Sequence, residues 1–153
     1  RANDSNSYGN FSDAYNFTID SYIAISLLIS TVNFGEATPG DSVNTTDGVN
    51  QPFWMENQGN VYVNISINAT SYFDSVSFPS SYYQFRIEEN ESSAFDTGIS
   101  ILNWTNMSDV PQLSVVDLDW HGVKNDFLAS LLVEIPYTEE AGEKSSTITF
   151  DVD

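Results

Sequence analysis

Apolar and polar residues alternate along most of this chain with a period of two, the spacing of a strand that buries one face and wets the other. Between Val61 and Ala69 the odd positions Val61, Val63, Ile65, Ile67 and Ala69 are apolar, while Asn64, Ser66 and Asn68 lie between them. The last residues repeat the pattern: Ile148, Phe150 and Val152 face one way, and Thr147, Thr149, Asp151 and Asp153 the other. Further strands are predicted at Ile23–Asn33, Gln51–Glu56, Tyr82–Glu88, Gly98–Trp104, Leu113–Leu118 and Leu128–Ile135. Turn signals separate them at Thr38-Pro39-Gly40-Asp41, Asp47-Gly48, Gln58-Gly59-Asn60, Ser77–Ser81, Asp96-Thr97-Gly98 and Glu139–Glu143. One segment reads two ways. Val123, Phe127, Leu128, Leu131 and Leu132 would share a helical face across Trp120–Leu132, yet Phe127, Ala129, Leu131, Val133 and Ile135 alternate equally well. A strand from Leu128 onward, with room for a short helical turn before it, is the favoured reading. About eight or nine short strands with turns at this spacing define an all-β chain, a β-sandwich of jelly-roll or immunoglobulin-like type.

The first residues behave differently. Phe11, Tyr15, Phe17 and Ile19 fall on odd positions, with Ser12, Ala14, Asn16, Thr18 and Asp20 between them, and Asp20-Ser21 breaks the parity before the apolar run Tyr22–Leu28. The chain thus divides into an amino-terminal arm, residues 1–20, and a sandwich domain, residues 21–153. Large apolar side chains on an arm require a groove, since leaving them in water forgoes roughly 1.5–3 kcal/mol apiece. A groove in the same molecule would make the arm one more strand of its own domain. A groove in the next molecule would make it a donor strand, added to a neighbour's sheet edge; such a head-to-tail contact does not close, so it grows into a filament.

Composition narrows the function. The chain has 153 residues, 41% of them hydrophobic and 14% aromatic, which suits one globular domain with a real core. Its net charge of −18 reflects missing bases: Arg1, Arg86, Lys124 and Lys144 stand against 22 acids. Four bases cannot supply the stripe that phosphate neutralisation needs, which argues against nucleic acid and disfavours anionic membrane surfaces as partners. No apolar stretch approaches the roughly 20 residues of a membrane span. With no initiating methionine, the sequence reads as a mature chain whose leader has been removed.

Nine Asn-x-Ser/Thr triplets begin at Asn3, Asn10, Asn16, Asn44, Asn64, Asn68, Asn90, Asn103 and Asn106, against roughly three expected by chance. The excess points to an exported, N-glycosylated protein. Export without a single cysteine is unusual for an animal or plant protein of this size and fits an archaeal or bacterial cell surface better.

Several segments then resemble a known group. Ser30-Thr-Val-Asn-Phe-Gly35, Thr38-Pro-Gly-Asp-Ser42, Pro52-Phe-Trp-Met-Glu-Asn-Gln-Gly-Asn60 and the strand Val61–Thr70 resemble the first half of TasA/camelysin-like surface proteins. Val133-Glu-Ile-Pro136, Ala141-Gly142 and Ser145–Val152 are similar to the last hairpin of archaeal surface β-sandwich domains. The likeness covers 23–75 and 131–153, and 76–130 resembles nothing in that group. It implies a jelly-roll-like sandwich at the cell surface, polymerised through an amino-terminal donor strand into biofilm or pilus-like fibres, as in archaeal bundling pili and thread filaments. Heavy N-glycosylation resembles the archaeal members more. The arm Phe11–Ile19 matches the family's donor by position and pattern only.

Camelysin-type proteins have been labelled metallopeptidases, but catalytic residues are not evident. The chain has no His-Glu-x-x-His and only one histidine, His121, too few for a two-histidine zinc centre. It has no Gly-x-Ser-x-Gly, and no carboxylate pair is singled out for glycoside hydrolysis. Trp120-His121-Gly122 reads as a turn with an exposed imidazole. Calcium is the more credible ion, with Asp117 and Asp119 as the best cluster and Asp109 and Asp126 near in sequence; Asp151 and Asp153 come second. Alternating Asp on a strand is more often a solvated face. Trp54 reads as core, and Trp104, between the Asn103 and Asn106 triplets, is poorly placed to stack on a bound sugar. The expectation is a structural subunit and no enzyme: an extracellular homopolymer with N-linked glycans, whose partners are other copies of itself, neighbouring filaments or cell-surface glycans. The alternative is a monomeric surface or carbohydrate-binding module.

Overall fold

The computed structural model describes residues 17–153. Nine strands account for the regular structure of those residues: β1 (Ile25–Ile29), β2 (Ser42–Asn44), β3 (Phe53–Asn57), β4 (Val63–Ala69), β5 (Tyr83–Glu89), β6 (Thr105–Asn106), β7 (Gln112–Leu118), β8 (Asp126–Glu134) and β9 (Ile148–Val152). They form an all-β sandwich of two antiparallel sheets. The larger runs β1-β3-β8-β5-β6, with β2 paired to the far end of β8, and the smaller runs β7-β4-β9.

Parity sets the core. Phe53, Met55 and Asn57 of β3, Tyr83, Phe85 and Ile87 of β5, and Phe127, Ala129, Leu131 and Val133 of β8 turn inward from the larger sheet. Val63, Ile65, Ile67 and Ala69 of β4 meet them from the smaller sheet, as the alternation predicts. Phe53 and Phe150 touch edge to face across the gap, with ring centroids 5.6 Å apart. Trp54 departs from expectation. It lies on the outer face of β3, half-buried, because its inward neighbours Phe53 and Met55 fix the parity. Its indole nitrogen donates to Asp126 at 2.7 Å.

Other boundaries are also corrected. The strand predicted at Ile23–Asn33 is regular only over Ile25–Ile29, and its pairing with β3 slips between Leu27 and Ile29. The segment Gly98–Trp104 is not a strand: the Ile101 N–H donates to Ser114 of β7, while its carbonyl accepts from Ile87 of β5. One residue thus bridges the two sheets where an extended ladder was expected. Trp120–Leu132 resolves as a tight turn, with the Val123 and Lys124 amides on the His121 carbonyl, followed by β8 from Asp126. Pro39-Gly40 makes the expected turn, with Gly40 at φ +92° and the Asp41 amide on the Thr38 carbonyl.

The turn after β3 locks the two sheets together. Buried Asn57 donates through Nδ2 to the carbonyls of Val61 and Leu118 and accepts through Oδ1 from the Gly59 amide. The lead-in to β1 lies on this turn: the Tyr22 N–H donates to Asn60 Oδ1, the Asn60 N–H to Tyr22 O, and the Gln58 N–H to Ala24 O. A Cβ on Gly59 would collide with the Tyr22 carbonyl, so only glycine permits this approach.

Candidate functional site

The two lateral sides of the sandwich differ. On one, residues from Ala94 to Ile101 run along β7: the Asp96 N–H donates to Val116 O, the Asp119 N–H to Ala94 O and the Val116 N–H to Ser100 Oγ. Ala94, Phe95 and Met107 fill the interior beneath them. That side is sealed.

The other side is open. Its walls are β1 and β9, each paired on one edge only among the described residues. Between them lies a cleft of about 380 Å³, floored by Phe53, Tyr83 and Leu131 and rimmed by Leu27, Val32 and Phe150. Leu27 pairs with inward-facing Met55, yet it is 38% exposed, because no strand of the smaller sheet reaches beneath it. Burial pushes the Tyr83 phenol up to about 12, against an opposing hydrogen bond with Ser146 on the rim. Ser146 Oγ also donates to the Thr70 carbonyl at 2.7 Å, which fixes the segment leading into β9.

Of the arm residues, Phe17 and Ile19 are 84% and 74% exposed. Phe11 and Tyr15 lie outside the described residues, as do Asn3, Asn10 and Asn16. Tyr22 and Ile23, which follow, are also exposed.

Of the described glycosylation triplets, Asn64 and Asn68 sit on the outer face of β4, at the centre of the smaller sheet. Asn44 lies on β2, and Asn103 and Asn106 lie at β6, on the sealed side. Asn44, Asn64 and Asn106 accept hydrogen bonds through Oδ1, and among the described residues their side-chain Nδ2 atoms have no protein partner. The Asn90 amide is already committed, donating to Asp126 at 2.7 Å. The Asn68 amide makes only a long contact, 3.5 Å, to the Asp109 carbonyl.

Asp117 and Asp119 lie in different settings. Asp117 is exposed at φ +55°, where the β7 ladder is irregular. Asp119 is buried and accepts from the Trp120 amide at 2.6 Å, with His121 Nδ1 at 2.5 Å. Burial would raise the Asp119 carboxyl, but these hydrogen bonds from His121 and Trp120 outweigh it and hold the group below its usual range. The imidazole stacks on Trp120, with ring centroids 3.9 Å apart. No group of three or more His, Cys, Asp or Glu side chains stands close enough to share a metal ion among the described residues. Trp104 carries the Arg86 guanidinium 4.8 Å above its ring, so one face of that indole is covered.

Sequence reasoning missed one ion pair. Glu139, buried, receives Lys144 Nζ and accepts from the Ser75 hydroxyl at 2.5 Å and the Ser75 amide at 3.1 Å. The Lys144 contact, then the Ser75 hydroxyl, draw the Glu139 carboxyl from 4.5 down to about 2, with burial opposing them. A depressed carboxylate stabilises the fold above its unfolded value, so this contribution is present above pH 4.5 and is lost as pH falls toward about 2. Glu139→Gln is expected to lower Tm by roughly 2–4 °C at neutral pH and by little near pH 2. Thermal melts across that range check it; a pH-independent deficit would mean that packing, not charge, holds the loop.

No family model, curated protein or solved structure matches the chain. Among the described residues, no helix is long and apolar enough to cross a membrane.

Proposed function

We propose that the protein is a structural subunit of an extracellular filament, joined head to tail by a donor strand from each copy. The observation that carries this reading is the open side of the sandwich: two strand edges unpaired among the described residues flank a cleft with Phe53, Tyr83 and Leu131 on its floor and both apolar and hydroxyl side chains on its rim. Exposed edges of this kind invite an added strand. Phe17 and Ile19 supply the complementary need, since burying each would contribute roughly 1.5–3 kcal/mol. The parity of Phe11 and Tyr15 extends the same face in sequence, with Asp13 its one acid. The resemblance of residues 23–75 and 131–153 to TasA/camelysin-like and archaeal thread or bundling-pilus proteins, read from the sequence, is in keeping with it.

N-linked glycans fit the same picture. Asn44, Asn64, Asn103 and Asn106 lie on outer faces or on the sealed side, where attached sugar would leave the cleft clear. With a net charge of −18, such a surface repels its copies everywhere except at an apolar contact. The carbohydrate-binding alternative gains less support, because Trp104 and Trp54 are both engaged within the chain.

Electron microscopy of protein purified from its native source is expected to show thin fibres, and its intact mass to exceed the 17.0 kDa of the bare chain. Isolated particles at every concentration would overturn the filament; an unmodified mass would remove the glycans.

A further inference from the structure

Resting on the reading of the arm as a donor strand, we propose that it enters the cleft of the next copy antiparallel to β9. It thereby becomes the fourth strand of the smaller sheet, with Phe17 opposite Phe150 and Ile19 opposite Ile148.

The ends of the sandwich decide the direction. The chain passes from the arm into β1 beside the turn Asn57–Asn60, held there by Tyr22, Ala24 and Asp20. The cleft opens at the opposite end, among Thr31, Phe34, Phe53 and the start of β9. An arm that leaves at one end and a cleft that opens at the other suit copies stacked end to end. In that stack Ile19, nearest its own body, lies at the mouth, and lower-numbered residues reach deeper. β9 runs inward from Ile148 at the mouth to Val152, so donor and acceptor run in opposite directions.

The backbone of β9 fits this pairing. Asn64 and Asp153 exchange both of their hydrogen bonds, which sets Asp151 and Thr149 as the other residues bonded to β4. The N–H and C=O groups of Ile148 and Phe150 therefore point to the free edge. Their side chains turn toward the core, so residues directly opposite them must also present apolar side chains inward. Phe17 and Ile19 meet that requirement at the matching spacing of two.

Charge agrees. The chain carries 22 acids, yet no carboxylate lines the cleft, and Lys144, one of four bases, stands at its rim. Asp20, which this register sets opposite Thr147 at the mouth, meets no carboxylate of the cleft lining there, while Asp13 falls past Asp153 at the far end of β9.

Because the chain has no cysteine, a designed pair reports cleanly. Antiparallel pairing with Phe17 opposite Phe150 sets Thr18 opposite Thr149 at a site without hydrogen bonds, with Cα atoms about 4.5 Å apart, inside disulfide range. The full chain carrying Thr18→Cys and Thr149→Cys is expected, after oxidation of its fibres, to give a ladder of covalent multimers on a non-reducing gel; neither single variant should. Fibres that form without this ladder, or that ladder with Thr18→Cys and Ser26→Cys on β1 instead, would overturn the docking to β9 and leave the filament reading intact. A cross-link confined to single chains, with no fibres from either variant or parent, would overturn both.

Discussion

A chain lacking residues 1–20 is expected to be unable to polymerise, leaving monomers where the proposed filament of the full chain would hold many subunits. The truncation leaves Tyr22 to Asn60 and the whole of β1 in place, so the sandwich and its open cleft are retained. Phe17→Asp with Ile19→Asp, in the full-length chain, should act in the same direction, because each would carry a charge onto an apolar floor. Sedimentation and electron micrographs read the result. If the truncated chain still formed fibres, the donor-strand mechanism would be wrong, whatever holds the fibres together. A synthetic peptide spanning residues 10–20, added to the truncated protein, should raise its Tm by filling the cleft without extending the polymer.

Asn57→Ala is expected to have the largest effect on stability, about 3 kcal/mol, read as a lower denaturant midpoint at unchanged slope. The side chain is fully buried and serves three backbone groups at once: the carbonyls of Val61 and Leu118 and the amide of Gly59. Removal leaves all three without this partner where water has little access, and each unsatisfied buried group costs about 1–3 kcal/mol. Against a total stability on the order of 5–15 kcal/mol, that loss is large. A change below about 1 kcal/mol would show that the turn repacks around other partners.

Most of the sandwich was legible in the alternation, because β4, β5 and β9 each bury one face against the opposite sheet. The turns were legible for a local reason: Gly40 and Asn57 carry conformations or hydrogen bonds that few other residues supply. Two elements escaped for want of length, since β2 and β6 are three and two residues long and show no period. Gly98–Trp104 misled for the opposite reason. Ile99, Ile101 and Trp104 have strand-like composition, but Ile101 is held by a single bond to each of two strands. The cleft was not legible, because it depends on which strands lie beside one another and on the three-stranded sheet stopping at β9. Phe17 and Ile19 advertised a need for cover without saying where the cover lies. Glu139 and Lys144 were hidden in the run Glu139–Lys144, where a solvated turn and a buried ion pair have the same composition.

The close approach of Tyr22 to Gly59 has a mechanical side. Tension on a fibre would enter each copy through the arm, pass along β1 to β3, and leave through β9 to the arm it holds. β3 and β9 belong to different sheets, so the pull crosses the apolar interior at contacts such as Phe53 on Phe150. Pulling lengthwise would load the rungs between β9 and such a guest together, in shear, where they would resist best. With no cysteine to bind one sheet to the other, the yield point of such a fibre would be set by how firmly two layers of side chains resist sliding. Asn57, which fastens the β3 turn to the end of β7, is one rivet across that slip plane.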